Sequence, residues 1–146
     1  MHFEGSVPIR AARERVWDFL MDPQLVGSCG PGVESIEIID DRVSRLVARV
    51  GIGVIRARFT IDVEKREAQA PDYALLAASG KAPGSAVDGT AEMELRDGPD
   101  DTTVMDWKTD VHIHGRLASV GARLIEGTAR KMIGQTFECI RAKLEA

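Results

Sequence analysis

Along most of this chain, apolar residues alternate with polar ones, and near the end the spacing changes to that of a helix. His2 to Pro8 reads as a first strand. A helix follows with Val16, Trp17 and Leu20 on one face, and Asp22-Pro23 stops it because the residue before proline disfavours the α region. Gln24 to Cys29 adds a short turn of helix, and Gly30-Pro31-Gly32 breaks the chain into strands. With Ile52-Gly53 as a two-residue turn, Val50 faces Ile55, Ala48 faces Ala57, Leu46 faces Phe59 and Ser44 faces Ile61. The other face of that hairpin holds Arg45, Arg49, Arg56 and Arg58, and a one-residue slip would mix arginines with Phe59.

Tyr73 to Ser79, Ser85 to Leu95 and Thr103 to Ile113 continue as strands. They are separated by turns at residues 80–84 and 97–101. From Gly115 to Ala146 the chain predicts one uninterrupted amphipathic helix. Leu117, Val120, Gly121, Leu124, Thr128, Met132, Phe137, Ile140 and Leu144 fall near one stripe. Such a helix would be about 45 Å long, enough to lie across a small sheet. The order strand, helices, about six antiparallel strands and long helix is α+β, in one domain over residues 1–146.

Small residues on the inward faces (Ala48, Ala57, Gly89, Ala91, with Gly121 on the helix) have two readings. Either backbones approach closely there, or volume is left unfilled between sheet and helix. The second reading places a ligand pocket among Leu46, Ala48, Ala57, Phe59, Gly89, Ala91, Met93, Met105, Trp107, Gly121, Leu124 and Met132.

Composition narrows the partners. Net charge is −4, against general nucleic-acid binding, yet the terminal helix sets six basic residues against three acidic ones. No apolar run is long enough to span a bilayer. The sequence MHFEGSVPI lacks a basic, apolar leader, so no signal peptide is expected. Two cysteines, Cys29 and Cys139, read as reduced thiols in a cytoplasmic protein.

Chemistry-bearing motifs are sparse. His112 and His114 share a strand face with Asp106, Lys108 and Asp110 but have no evident third ligand, so no metal is expected. Asp40-Asp41 and Asp100-Asp101 read as turn formers, because neighbours on extended chain point apart. Gly51-Ile52-Gly53 is a hairpin rather than a phosphate loop, since no helix follows it. No nucleophile elbow is present, and Cys29 has no assignable histidine. The four arginines on the hairpin could dock an acidic partner, or Glu34 and Glu37 could neutralise them.

Three segments carry a resemblance: ERVWDFLMDPQLVGSCGPGVESIE, GKAPGSAVDGTAEMEL and GRLASVGARLIEGTARKMIGQTFECI. Together they are similar to the CoxG family of carbon monoxide dehydrogenase proteins. The resemblance implies the helix-grip fold of the START/polyketide-cyclase-like superfamily, a seven-stranded antiparallel sheet gripping a long C-terminal helix around an apolar cavity. It implies a non-catalytic accessory of molybdenum hydroxylases that assists membrane recruitment and electron transfer to quinone. The expected ligand is a quinone or lipid, with no other cofactor. Expected partners are molybdenum hydroxylase subunits and a peripheral contact at the inner face of the membrane. Gly30 stands where the family pattern usually has an apolar residue. Many members reach the membrane through an extra C-terminal segment, and with the sequence ending at Ala146, directly after the grip helix, that mode of anchoring is not expected here.

Two further classes stay open. A cyclase/aromatase- or hydrolase-type enzyme needs inward acid/base groups, for which Thr109, Ser44, Tyr73 and Trp107 are the polar candidates. A pure docking module would use the arginine face or the basic helix instead.

Overall fold

The computed structural model describes all residues from Met1 to Ala146. Seven strands form one antiparallel sheet: β1 (His2–Ile9), β2 (Val33–Ile38), β3 (Val43–Ile52), β4 (Ile55–Gln69), β5 (Tyr73–Ala82), β6 (Ser85–Asp97) and β7 (Thr103–Gly115). Their spatial order is β1-β7-β6-β5-β4-β3-β2, so successive strands pair as hairpins from β2 onward and β1 closes on β7. Register shifts in the β2–β3 and β4–β5 pairs bend the sheet. Between β1 and β2 the chain crosses from one sheet edge to the other through α1 (Arg13–Met21) and α2 (Pro23–Gly27). Asp22 ends the first and caps the second, accepting hydrogen bonds from the amides of Gln24 (2.9 Å) and Leu25 (3.4 Å). After β7 comes a 3-10 turn at Arg116–Val120, then α3 (Ala122–Glu145).

Apolar packing divides into two clusters along α3. Its C-terminal half brings Ile140 and Leu144 onto Ile9, Val16, Trp17, Leu20, Leu95 and Met105. Its N-terminal half brings Ile125, with Leu117, onto Ile52, Ile55 and Phe59. No helix is long and apolar enough to cross a membrane.

Three expectations are corrected. The terminal helix is not continuous: a 3-10 turn precedes it, and Gly121 at φ +101° joins the two. The non-helical Gly121 uncouples the phase of α3 from the residues before it, and Ile125 lies in the core while Leu124 is 44% exposed. The β3–β4 turn is Gly53-Val54, so Ile52 pairs with Ile55, Val50 with Ala57, Ala48 with Phe59, Leu46 with Ile61 and Ser44 with Val63. Gly53 takes φ +60° at the first central position of the turn, where a β-branched Ile52 would be strained. The partners shift by two residues, so each side chain keeps its face.

The third correction concerns the cysteines. Cys29 and Cys139 are joined in a disulfide with Cα atoms 5.5 Å apart, and no cysteine is free. It ties the loop after α2 to the C-terminal half of α3. The cysteines therefore no longer argue for a reducing compartment.

Gly89 decides one of the two readings of the small residues. A Cβ there would lie 2.4 Å from the backbone oxygen of Asp110. Close approach of β7 requires glycine at this position, whatever the neighbouring space. Gly89→Ala should therefore lower unfolding free energy by about 1–3 kcal/mol, as an overpacked site does. Denaturant unfolding would check this; an unchanged midpoint would contradict it.

Candidate functional site

Between the sheet and the N-terminal half of α3 lies a cavity of about 400 Å³, lined by 24 residues of which 18 are hydrophobic. Every strand except β2 contributes, because the period-2 alternation turns one row of each strand inward. Phe3 comes from β1; Val50, Ile52, Phe59, Ile61 and Val63 come from β3 and β4. Leu76, Ala78, Val87, Ala91, Val111 and Ile113 come from β5 to β7. Leu117 and the α3 residues Ile125, Thr128, Ala129, Met132 and Ile133 close the other side. Phe3 is held beneath Arg130, whose guanidinium sits 5.1 Å from the ring centre and which also pairs with Glu126 at 2.9 Å.

Polar residues at this wall are few: Asp88, Thr90, Thr109 and Thr128. Thr109 Oγ1 donates to the Thr90 carbonyl at 2.8 Å, and Asp88 pairs with His114 at 3.2 Å. The Thr128 hydroxyl makes no hydrogen bond within the protein. No acid/base pair lines the space. Of the four inward polar candidates, only Thr109 reaches the cavity. Ser44 is buried elsewhere, and Trp107 packs on Phe137 at 5.0 Å between ring centres.

Tyr73 lies on the outer sheet face, where its hydroxyl donates to Glu92 at 2.7 Å. That bond to a carboxylate, with burial adding to it, pushes its pKa up to about 12. Tyr73 is the only tyrosine, so ultraviolet titration of the intact protein reads it directly. Between pH 10 and about 12 the unfolded chain releases a proton that the folded chain keeps, so this group's contribution to stability falls as pH rises through that window. Glu92→Gln should return the titration toward 10.0; an unshifted curve would contradict the assignment.

Of the twelve residues that the sequence grouped as a pocket, Phe59, Gly89, Ala91 and Met132 line this cavity. Met105 is fully buried in the C-terminal cluster, and Met93 and Trp107 pack against it. Ala57 packs with the N-terminal cluster, Ala48 is buried outside the lining, and Leu46 lies beside Gly27 of α2. Gly121 and Leu124 lie at the surface, where Leu124 meets the β3–β4 turn at Gly53. Alternation gave the face of each strand but not how far along it α1 and the C-terminal half of α3 fill the space.

The arginine face is largely neutralised. Arg45 pairs with Asp62 at 2.8 Å, while Arg49 and Arg58 both reach Glu34, at 2.9 and 2.8 Å. Across the hairpin Arg49 pairs in register with Arg58 rather than Arg56, and Arg56 makes no ion pair. Elsewhere on the outer face, hydrogen bonds that the His2 ring donates to the Glu4 and Asp110 carboxylates raise the His2 pKa. Arg96, then Ser6, hold the Asp106 carboxyl below its usual range. No three His, Cys, Asp or Glu side chains converge to hold a metal ion.

A seven-stranded antiparallel sheet gripping a C-terminal helix over an apolar cavity is the helix-grip architecture of START-like proteins. A conserved protein from Geobacillus kaustophilus superimposes with a TM-score of 0.92 at 23% identity, covering 99% of this chain and 95% of that one. A START superfamily protein from Mycobacterium smegmatis matches with a TM-score of 0.71 at 11% identity, covering 99% and 97%. The Zhui aromatase/cyclase from Streptomyces sp. R1128 matches with a TM-score of 0.69 at 16% identity, covering 99% and 93%. At these identities the likeness is one of fold. Among curated proteins none matches. The family model for the CoxG subunit of carbon monoxide dehydrogenase matches residues 5–145, and the chain belongs to that family.

Proposed function

We propose that this protein is a non-catalytic accessory of a molybdenum hydroxylase of the carbon monoxide dehydrogenase type. It holds a quinone or isoprenoid-like lipid between sheet and α3, and assists electron transfer or recruitment at the inner face of the membrane. The observation that carries this reading is the 400 Å³ cavity with 18 hydrophobic residues among 24, and no acid/base pair at its wall. Burying apolar ligand surface contributes about 25 cal/mol per Å², so affinity needs no polar key. Membership of the CoxG family supports the hydroxylase as partner.

The Zhui neighbour keeps a cyclase in view as a fold analogy, but such chemistry needs titratable groups facing the substrate. Titration calorimetry with a short-chain quinone tests the proposal. The expected result is saturable 1:1 binding with a negative heat-capacity change, the mark of apolar burial. Absence of heat at several temperatures, with no thermal stabilisation, would overturn it.

A further inference from the structure

At the edge of the cavity, on the flank of α3, lies a surface recess lined by Val120, Gly121, Ala122, Arg123, Leu124, Gly127, Thr128 and Lys131. Thr128 lines both spaces, and its hydroxyl, unlike that of Thr136 two turns further on, which donates to the Met132 carbonyl, takes no partner within the protein. The recess therefore adjoins the apolar cavity through a group able to donate or accept one hydrogen bond.

Charge in the recess has a single sign. Arg123 and Lys131 line it, no acid does, and neither cation takes part in an ion pair. Of the other α3 cations, Arg130 is held by Glu126 and Arg141 by Glu145, and Lys143 donates to the Ser28 hydroxyl. Arg123, Gly127 and Lys131 are four residues apart, so they lie on one face over about 12 Å, with Gly127 midway. A side chain at Gly127 would meet nothing within 4 Å, which leaves room between the two cations.

From an apolar cavity adjoining a two-cation recess through a free hydroxyl, the geometry points to an anionic, single-chain amphiphile as the ligand class. Its tail lies against the cavity wall, and its carboxylate or phosphate head sits over Gly127 between Arg123 and Lys131. This rests on the cavity being a ligand site, and adds to it a selectivity for charge that a neutral quinone does not exploit. Charge-assisted hydrogen bonds from a guanidinium and an ammonium are the natural partners of such a head.

Gly127→Glu tests the recess without endangering the fold. Glutamate is a better helix former than glycine, and it falls four residues from both cations, pairing with them in place of the ligand head. Binding of decanoate, decyl phosphate and decanol would be measured for the wild type, Gly127→Glu and the double variant Arg123→Gln/Lys131→Gln. The expected result is roughly tenfold or greater loss of anion binding in each variant, with decanol changed less than about twofold. Such a loss confined to decanoate or to decyl phosphate would support the recess equally and identify which head group it takes. Equal wild-type affinity for decanoate and decanol, or anion binding untouched in both variants, would overturn the recess and leave the cavity reading standing. If none of the three binds the wild type, the recess reading falls, and the quinone titration alone decides the cavity reading.

Discussion

Ala91→Trp should weaken the binding of any apolar ligand by roughly a hundredfold or more while leaving the protein folded. Ala91 lines the cavity from β6, facing the helix residues Thr128, Ala129 and Met132 across the unfilled space. An indole entering that space occupies volume the ligand needs, and it contacts apolar wall instead of displacing packed core. Ala57→Trp is the informative contrast. Ala57 packs with Ile52, Ile55, Phe59 and Leu117, where added bulk has no space to enter. It should cost about 1–3 kcal/mol of stability through overpacking. Binding titrations and thermal melts on both variants would separate the effects. Unchanged affinity in Ala91→Trp would mean that ligands bind elsewhere.

Cys139→Ser, or reduction of the wild type, should lower stability by about 2–5 kcal/mol, a fall in Tm of roughly 5–20 °C. The bridge spans 110 residues of sequence and closes about three quarters of the chain into one loop. In the chain-entropy account, a longer loop restrains the unfolded state more. Its placement also matters for the site. It anchors α3 at the end farther from the cavity, beside the cluster containing Ile140 and Leu144. Lys143 adds a hydrogen bond to Ser28 at 2.7 Å beside the bridge. Reduction should therefore loosen the α1–α3 cluster first, and hydrogen exchange of α3 amides would reveal that gradient. Identical melts with and without reductant would contradict a stabilising role.

Much of this architecture was legible from spacing alone. Two-residue alternation in Val87, Gly89, Ala91, Met93 and Leu95 set the inner face of β6, and Asp22-Pro23 marked the break between the first two helices. Arg45, Arg49, Arg56 and Arg58 were correctly placed on one face even with the turn misassigned, because the register error was two residues and alternation survives an even shift. The 3-10 turn and the non-helical Gly121 before α3 were hidden, since they uncouple the helix phase from what precedes it: Leu124 fits the stripe as well as Ile125 until the backbone fixes which one points inward. Proximity of Cys29 and Cys139 was equally hidden. It arises only when the loop after α2 meets the far half of α3, a contact between segments with no local relation.

The cavity itself lies between those two cases. Its walls follow from alternation, as with Val111 and Ile113 on β7. Its position depends on where packing stops. Met93, Met105 and Trp107 look like pocket residues by pattern, yet α1 and Phe137 fill the space in front of them. Val87 and Ile113, on the same two strands, face the end of the sheet over which α3 only begins, and there the volume stays open.

Native mass spectrometry of the purified protein, followed by organic extraction of whatever it carries, tests the central claim most directly. A ligand-binding cavity predicts a mass excess of one small apolar or amphiphilic molecule, lost on denaturation and absent from Ala91→Trp. A bare polypeptide mass that stays bare after incubation with quinones and fatty acids, in wild type and variant alike, would contradict it.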